Sequence, residues 1–93
     1  PVDSATDVLI VTRSHAFDLQ VLRQALRSPA GYIGMIGSRH KWKTLSSLLL
    51  EEGFGDDDLK RVHCPVGLEI GADSPEEIAV SIAAELIEHR ALQ

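Results

Sequence analysis

Residues 7–37 read DVLIVTRSHAFDLQVLRQALRSPAGYIGMIG, and the fold is decided there. The stretch opens on a continuous apolar run, residues 7–12, with β-branched side chains at Val8, Ile10, Val11 and Thr12. A run without polar alternation suits a strand covered on both faces, which is what the crossover helices of a parallel sheet provide. Helical spacing follows over residues 16–27, where Leu19, Leu22 and Leu26 form a stripe with Phe17 and Val21 beside it. Ser28-Pro29-Ala30-Gly31 then supplies the breakers. Residues 32–37, YIGMIG, are a second short apolar run whose glycines predict close approach of another backbone. Strand, helix and strand of these lengths predict a parallel unit with a right-handed crossover.

Downstream, residues 40–52 return to helical spacing, with Trp42, Leu45, Leu48 and Leu49 as the expected buried stripe and Gly53 as the stop. Residues 56–61 are polar around one apolar anchor, Leu59, and predict a single helical turn. Residues 62–71, VHCPVGLEIG, read as irregular or briefly extended. The last helix is predicted over residues 75–90. Ser74 is its N-cap, Pro75 opens it, Glu77 completes a capping box, and Ala79, Ile82, Ala83 and Leu86 are the expected core face. The β-α-β-α-α order predicts an α/β fold, the second half of a doubly wound Rossmann-like parallel sheet, with residues 1–93 forming one partial domain. At 93 residues a domain buries only roughly 60–65% of its unfolded surface. A lone sheet of two or three strands is therefore expected to need a missing N-terminal half, a partner or a second copy in a homo-oligomer.

The composition is that of a globular protein, 44% hydrophobic and 25% charged, and not of a disordered one. A net charge of −5, with basic residues clustered only over residues 39–43, argues against general nucleic-acid binding. Cys64 is the only cysteine, which rules out an internal disulfide and a CxxC pair and points to a reducing, cytoplasmic compartment. No apolar run approaches the ~18–20 residues of a membrane span. His63 and Cys64 are adjacent on an extended segment, so their side chains are expected to diverge, and no second ligand pair accompanies them for a metal. A persulfide role for Cys64 would need an accessible, acidic thiol; burial as a small apolar residue is the expectation. The acidic residues 51–58 read as a solvated turn without calcium-loop spacing.

In open α/β sheets ligands bind at the carboxyl ends of the strands. The first such end carries Thr12, Ser14 and His15, the second Gly37, Ser38 and Arg39. At the second, a glycine permits close approach, and a helix N-terminus with a guanidinium favours an anion such as phosphate. The plainer reading has Ser38 as a cap and Arg39 in solvent. His15 fits acid–base work, ligand contact or simple capping. Gly67 and Glu69 lie on a loop that is either ligand-facing or only a tight joint into the last helix. No GxGxxG occurs, since Gly31, Gly34 and Gly37 are spaced GxxGxxG within a strand. The dinucleotide fingerprint of such a sheet is expected upstream.

Three stretches, DVLIVTRSHAFDLQVLRQAL, YIGMIGSRHK and VHCPVGLEIGADSPEEIAVSIAAELI, together resemble the C-terminal Rossmann-type domain of the XdhC/CoxI family of xanthine dehydrogenase accessory factors. The resemblance spans residues 7–90. It implies a maturation factor or chaperone, and not an enzyme, that binds or transfers the molybdenum cofactor (molybdopterin) and delivers it to a molybdenum hydroxylase apoenzyme. Gly37, Ser38 and Arg39 match the family's strand-end motif, and Gly67, Gly71 and residues 74–77 match its second motif. Thr12, Ser14 and His15 correspond to the first strand end, where the family more often has an acidic residue near Ser14. Cys64 stands where a small residue such as alanine is expected. The cofactor-binding set implied is Thr12, Ser14, His15, Gly37, Ser38, Arg39 and Gly67. Two other functions remain open: a nucleotide-binding oxidoreductase subunit taking NAD(P) or ATP, and a purely structural assembly fragment.

Overall fold

A computed structural model describes residues 3–11 and 14–92. In chain order these form β1 (Asp7–Ile10), α1 (His15–Arg27), β2 (Tyr32–Met35), α2 (Arg39–Glu51), the short α3 (Asp56–Leu59), β3 (Val62–His63) and α4 (Pro75–Ala91). The three strands lie in the order β1-β2-β3, all parallel, with Val8 opposite Ile33, Ile10 opposite Met35, and Ile33 opposite Val62. The α/β architecture is the one expected, with one addition. The segment read as irregular or briefly extended contributes a two-residue third strand. Pro65 has no N–H to continue that ladder, and the pairing resumes one residue later, where the Val66 amide donates to the Met35 carbonyl at 3.1 Å.

Alternation along the strands puts Val8, Ile10, Ile33, Met35 and Val62 on one face. Leu22, Ala25 and Leu26 of α1 and Leu45 and Leu49 of α2 close over it to form the core. Each fully buried leucine there is worth roughly 1.5–3 kcal/mol of burial. Tyr32, Gly34 and His63 occupy the opposite face, toward α4. A Cβ at Gly34 would come within 2.6 Å of Val66 Cγ2 and 2.9 Å of Leu9 Cδ2. The glycine signal was thus real, but side chains and not another backbone make the close approach.

Helix starts follow their cap residues. Ser14, Ser38 and Ser74 accept the amides of Phe17, Lys41 and Glu77, and Glu77 returns the bond to Ser74 and Asp73. Those amide donors hold the Glu77 carboxyl below its usual range. Gly53, at φ +101°, ends α2 in a conformation that glycine adopts without penalty. Arg23 of α1 grips Glu52 after α2 with two bonds of 2.6 Å, tying the two helices together on the outside.

Three expectations about burial are corrected. The 7–12 run is covered on one face only: Leu9 is 43% and Val11 69% exposed, because β1 is an edge strand and α4 stands over β2 and β3. Phe17 and Leu48, placed in or beside buried stripes, are exposed. In α4 the inward residues are Ser81, Glu85 and His89, at i, i+4 and i+8, flanked by half-buried Ile82 and Leu86, while Ala79 and Ala83 face outward. Apolar residues surround this helix, so no stripe in its sequence marks the inward side. Polar bonds decide it instead.

Candidate functional site

The chain leaves β2 through Gly37, whose φ of +154° suits glycine, and enters α2 at Arg39. The loop from β3 to α4 folds back over this edge, held by Val66 to Met35 and by the Leu68 amide donating to the Ser81 carbonyl at 3.1 Å. Gly67 makes that closure possible. Its φ is +108°, and a Cβ would meet Ser81 Oγ at 2.6 Å. The loop separates two cavities. One, of about 610 Å³, is apolar, between Ile36 and Gly37 on one side and Ile70, Ile78 and Ile82 on the other. The second, of about 430 Å³, is polar and presents Arg39, His63, Cys64, Glu69 and Glu85. Pro65, Gly67, Leu68 and Glu69 line both.

The expected site residues divide accordingly. Arg39 and Gly67 come together in the polar cleft, and Gly37 borders the apolar one. Ser38 caps α2, and its carbonyl receives the Cys64 thiol at 3.8 Å. Arg39 is paired with Glu69 across the cleft mouth, both side chains about three-quarters exposed. Ser14 caps α1 and lines neither cavity among the described residues. Thr12 and the side chain of His15 lie outside the described residues.

Cys64 and His63 diverge as expected: the thiol packs against the core side, and the imidazole stacks on Tyr32. Burial pushes the Cys64 thiol up, partly offset by the nearby Lys41 charge and reinforced by Asp18, so it is not an activated thiolate. No cluster of His, Cys, Asp or Glu suited to a metal occurs among the described residues, and no described helix is long and apolar enough to cross a membrane. Beneath the cleft, Lys41 pairs with fully buried Asp18 and donates to the Ile36 carbonyl at 3.1 Å.

Sequence reading missed the network that holds α4. The fully buried Tyr32 donates its hydroxyl to Glu85 Oε2, which also accepts the Gly67 amide at 3.2 Å. His63 stacks on the Tyr32 ring with centroids 4.4 Å apart, and His89 meets both rings. The i, i+4 pair Glu85 and His89 was the one available signal, a carboxylate and an imidazole one turn apart on the same helix face. Burial, then the Glu85 hydrogen bond and the Glu85 and Asp7 charges, push the Tyr32 phenol far up. Burial lowers His63, with the Glu85 charge opposing and His89 assisting.

These shifts set a pH window. The neutral imidazole favoured in the fold makes its contribution fully present above the ordinary histidine value of 6.5, and it is lost as pH falls below that toward the lower folded value. The neutral phenol favoured in the fold contributes fully below the ordinary value of 10.0, and that contribution is lost as pH rises past it. Thermal midpoints measured against pH should fall on both sides. Tyr32→Phe is expected to flatten the alkaline side and His63→Phe the acid side; unchanged flanks in these variants would show that other groups set the window.

Residues 1–86 match the family described as the XdhC Rossmann domain. An uncharacterized protein of Escherichia coli K12, YqeB, is 36% identical over 81 residues, covering 87% of this chain and 15% of that protein. A Bacillus subtilis 168 protein described as a probable subunit of xanthine dehydrogenase is 36% identical over 90 residues, covering 97% of this chain and 24% of that one. The crystal structure of a xanthine dehydrogenase from Bacillus halodurans matches with a TM-score of 0.79 and 34% identity, over 100% of this chain and 26% of that one. The chain thus spans about a quarter or less of the length of these relatives. Its parallel sheet and its glycine-dependent carboxyl edge lie wholly within the matched span, and the chain belongs to the XdhC Rossmann-domain family.

Proposed function

We propose that this chain is the Rossmann-type part of a xanthine dehydrogenase accessory factor acting in the cytoplasm. In this reading it holds the molybdenum cofactor in the polar cleft for delivery to a molybdenum hydroxylase apoenzyme. The observation that carries the reading is Arg39, a largely exposed guanidinium at the mouth of a cleft of about 430 Å³, on the first turn of α2. Ser38 takes the Lys41 amide and leaves the amides of Arg39 and His40 without an intrahelical acceptor. Together they suit the anionic end of a phosphate-bearing cofactor. The volume lies within the range of ordinary small-molecule sites. Glu69 already engages Arg39, but an exposed ion pair is worth roughly 0–1 kcal/mol, so a phosphate displaces it at little cost.

Thermal unfolding with and without the cofactor tests this, because a ligand bound to the native state raises the midpoint with occupancy. A rise with the molybdenum cofactor that disappears in Arg39→Ala is the expected result. A rise with NAD(P) or ATP alone would move the assignment to a nucleotide-binding oxidoreductase subunit. No rise with any of them would favour a structural assembly role, which the uncovered Leu9 and Val11 beside the free edge of β1 support. The solution mass of the same sample reads whether a second copy covers that edge.

A further inference from the structure

We infer that Glu85 recognises the ring of the ligand in the polar cleft: it accepts from an amino group adjoining a ring N–H, the 2-amino-4-oxopyrimidine edge shared by pterins and guanines. The inference deepens the cofactor reading and rests on it for the choice of cleft. A carboxylate has about four acceptor sites on two oxygens. Oε2 of Glu85 spends its capacity inside the protein, on the Tyr32 hydroxyl from β2 and the Gly67 amide from the closing loop. Those donors come from two different elements and fix the carboxylate, which is how a binding group is preorganised. Both of these bonds fall on Oε2, two of the carboxylate's acceptor sites, and Glu85 forms part of the cleft wall. His63, beside it, is held toward the neutral form and does not cancel its charge.

A fixed anionic acceptor selects donors and rejects acceptors. In adenine the amino group stands between two ring nitrogens whose lone pairs would face the carboxylate. In the 2-amino-4-oxopyrimidine ring it has an N–H beside it, so the edge offered to Glu85 is donor-rich. Arg39 lines the same cleft and takes the opposite charge. One ligand with an amino-substituted ring and an anionic end meets both groups.

The test is fluorescence titration of the 93-residue chain with pterin and with lumazine, which replaces the 2-amino group by a carbonyl, alongside GMP, IMP and AMP in competition. A charge-assisted hydrogen bond predicts pterin at least about tenfold tighter than lumazine, and GMP tighter than IMP and AMP by a similar factor. Whichever of pterin and GMP binds more tightly identifies the source of the ring. Glu85→Gln keeps an oxygen for Tyr32 and Gly67 and should bring the pterin-to-lumazine ratio close to one, with an unchanged circular dichroism spectrum. Equal binding of pterin and lumazine by the wild type, no binding of either, or a ratio that survives Glu85→Gln would each overturn the inference. Pyrophosphate binding separates this from the anionic anchor. If pyrophosphate binds Arg39→Ala as tightly as the wild type, the Arg39 reading fails while a pterin preference keeps Glu85. If it is lost while pterin and lumazine bind equally, Arg39 stands and Glu85 fails.

Discussion

Lys41→Met is expected to cost about 3–5 kcal/mol of folding stability, because it strands a carboxylate in the interior. Asp18 is fully buried, Lys41 is nearly so, and the two are paired between the first turns of α1 and α2. Asp18 Oδ1 accepts no hydrogen bond among the described residues, so the ammonium is what compensates the charge. Removing both partners is a different experiment. Asp18→Leu with Lys41→Met takes two desolvated ions out of a site adjoining the core, and should be neutral or more stable than wild type by ~1–4 kcal/mol. Urea unfolding of the single and double variants reads the difference. For a domain of this size the single variant's midpoint should fall by roughly 15–30 °C. A single variant as stable as wild type would show that water or another group already satisfies Asp18. The pair also bears on the site: a Cβ at Gly37 would lie 2.6 Å from Lys41 Cδ. The strand-end glycine therefore makes room for the lysine beneath it.

What the sequence made legible is what local chemistry controls. Ser14, Ser38 and Ser74 cap the helices that their positions announce, because a cap needs only its own first turn. The buried stripe of α1 at Leu22 and Leu26 follows from helical period alone. The apolar run at residues 7–12 could not tell an edge strand from a central one, since that depends on which strand lies beside it and which helix above. For α4 the apolar pattern misled. The helix is oriented by Glu85, bonded to residues 53 and 18 positions away, and no spacing rule reaches that far. The candidate site divides the same way. That Arg39 and Gly67 border one cleft could be anticipated because strand ends and loop glycines leave marks in sequence, whereas the Tyr32–Glu85–His63 cluster exists only after β2, β3 and α4 have met.

Arg61→Met should lower stability by about 2–4 kcal/mol, an effect out of scale for a polar residue between a helical turn and a two-residue strand. Its guanidinium donates to the carbonyls of Leu26 at 3.0 Å, Ser28 at 2.6 Å and Ala30 at 2.7 and 3.0 Å, with a longer bond to Ala25 at 3.4 Å. These are the orphan acceptors that every helix leaves at its C-terminal end, with those of the turn that follows. The positive charge also stands where the dipole of α1 is negative. Meanwhile the Arg61 carbonyl accepts the Ile33 amide at 3.0 Å, so one residue joins the end of α1 to the start of the β2–β3 ladder. Methionine fills similar volume without a donor and leaves the carbonyls to whatever water reaches them. Arg61→Lys is expected to recover less than half of the loss, since a single ammonium does not span acceptors that a planar fork reaches together. Amide exchange locates the damage: protection should drop first at the last turn of α1 and at Ile33, while α4 retains its own. Equal loss across the whole chain would mean that Arg61 supports the global fold and not this junction, and full stability in Arg61→Met would mean that solvent replaces it.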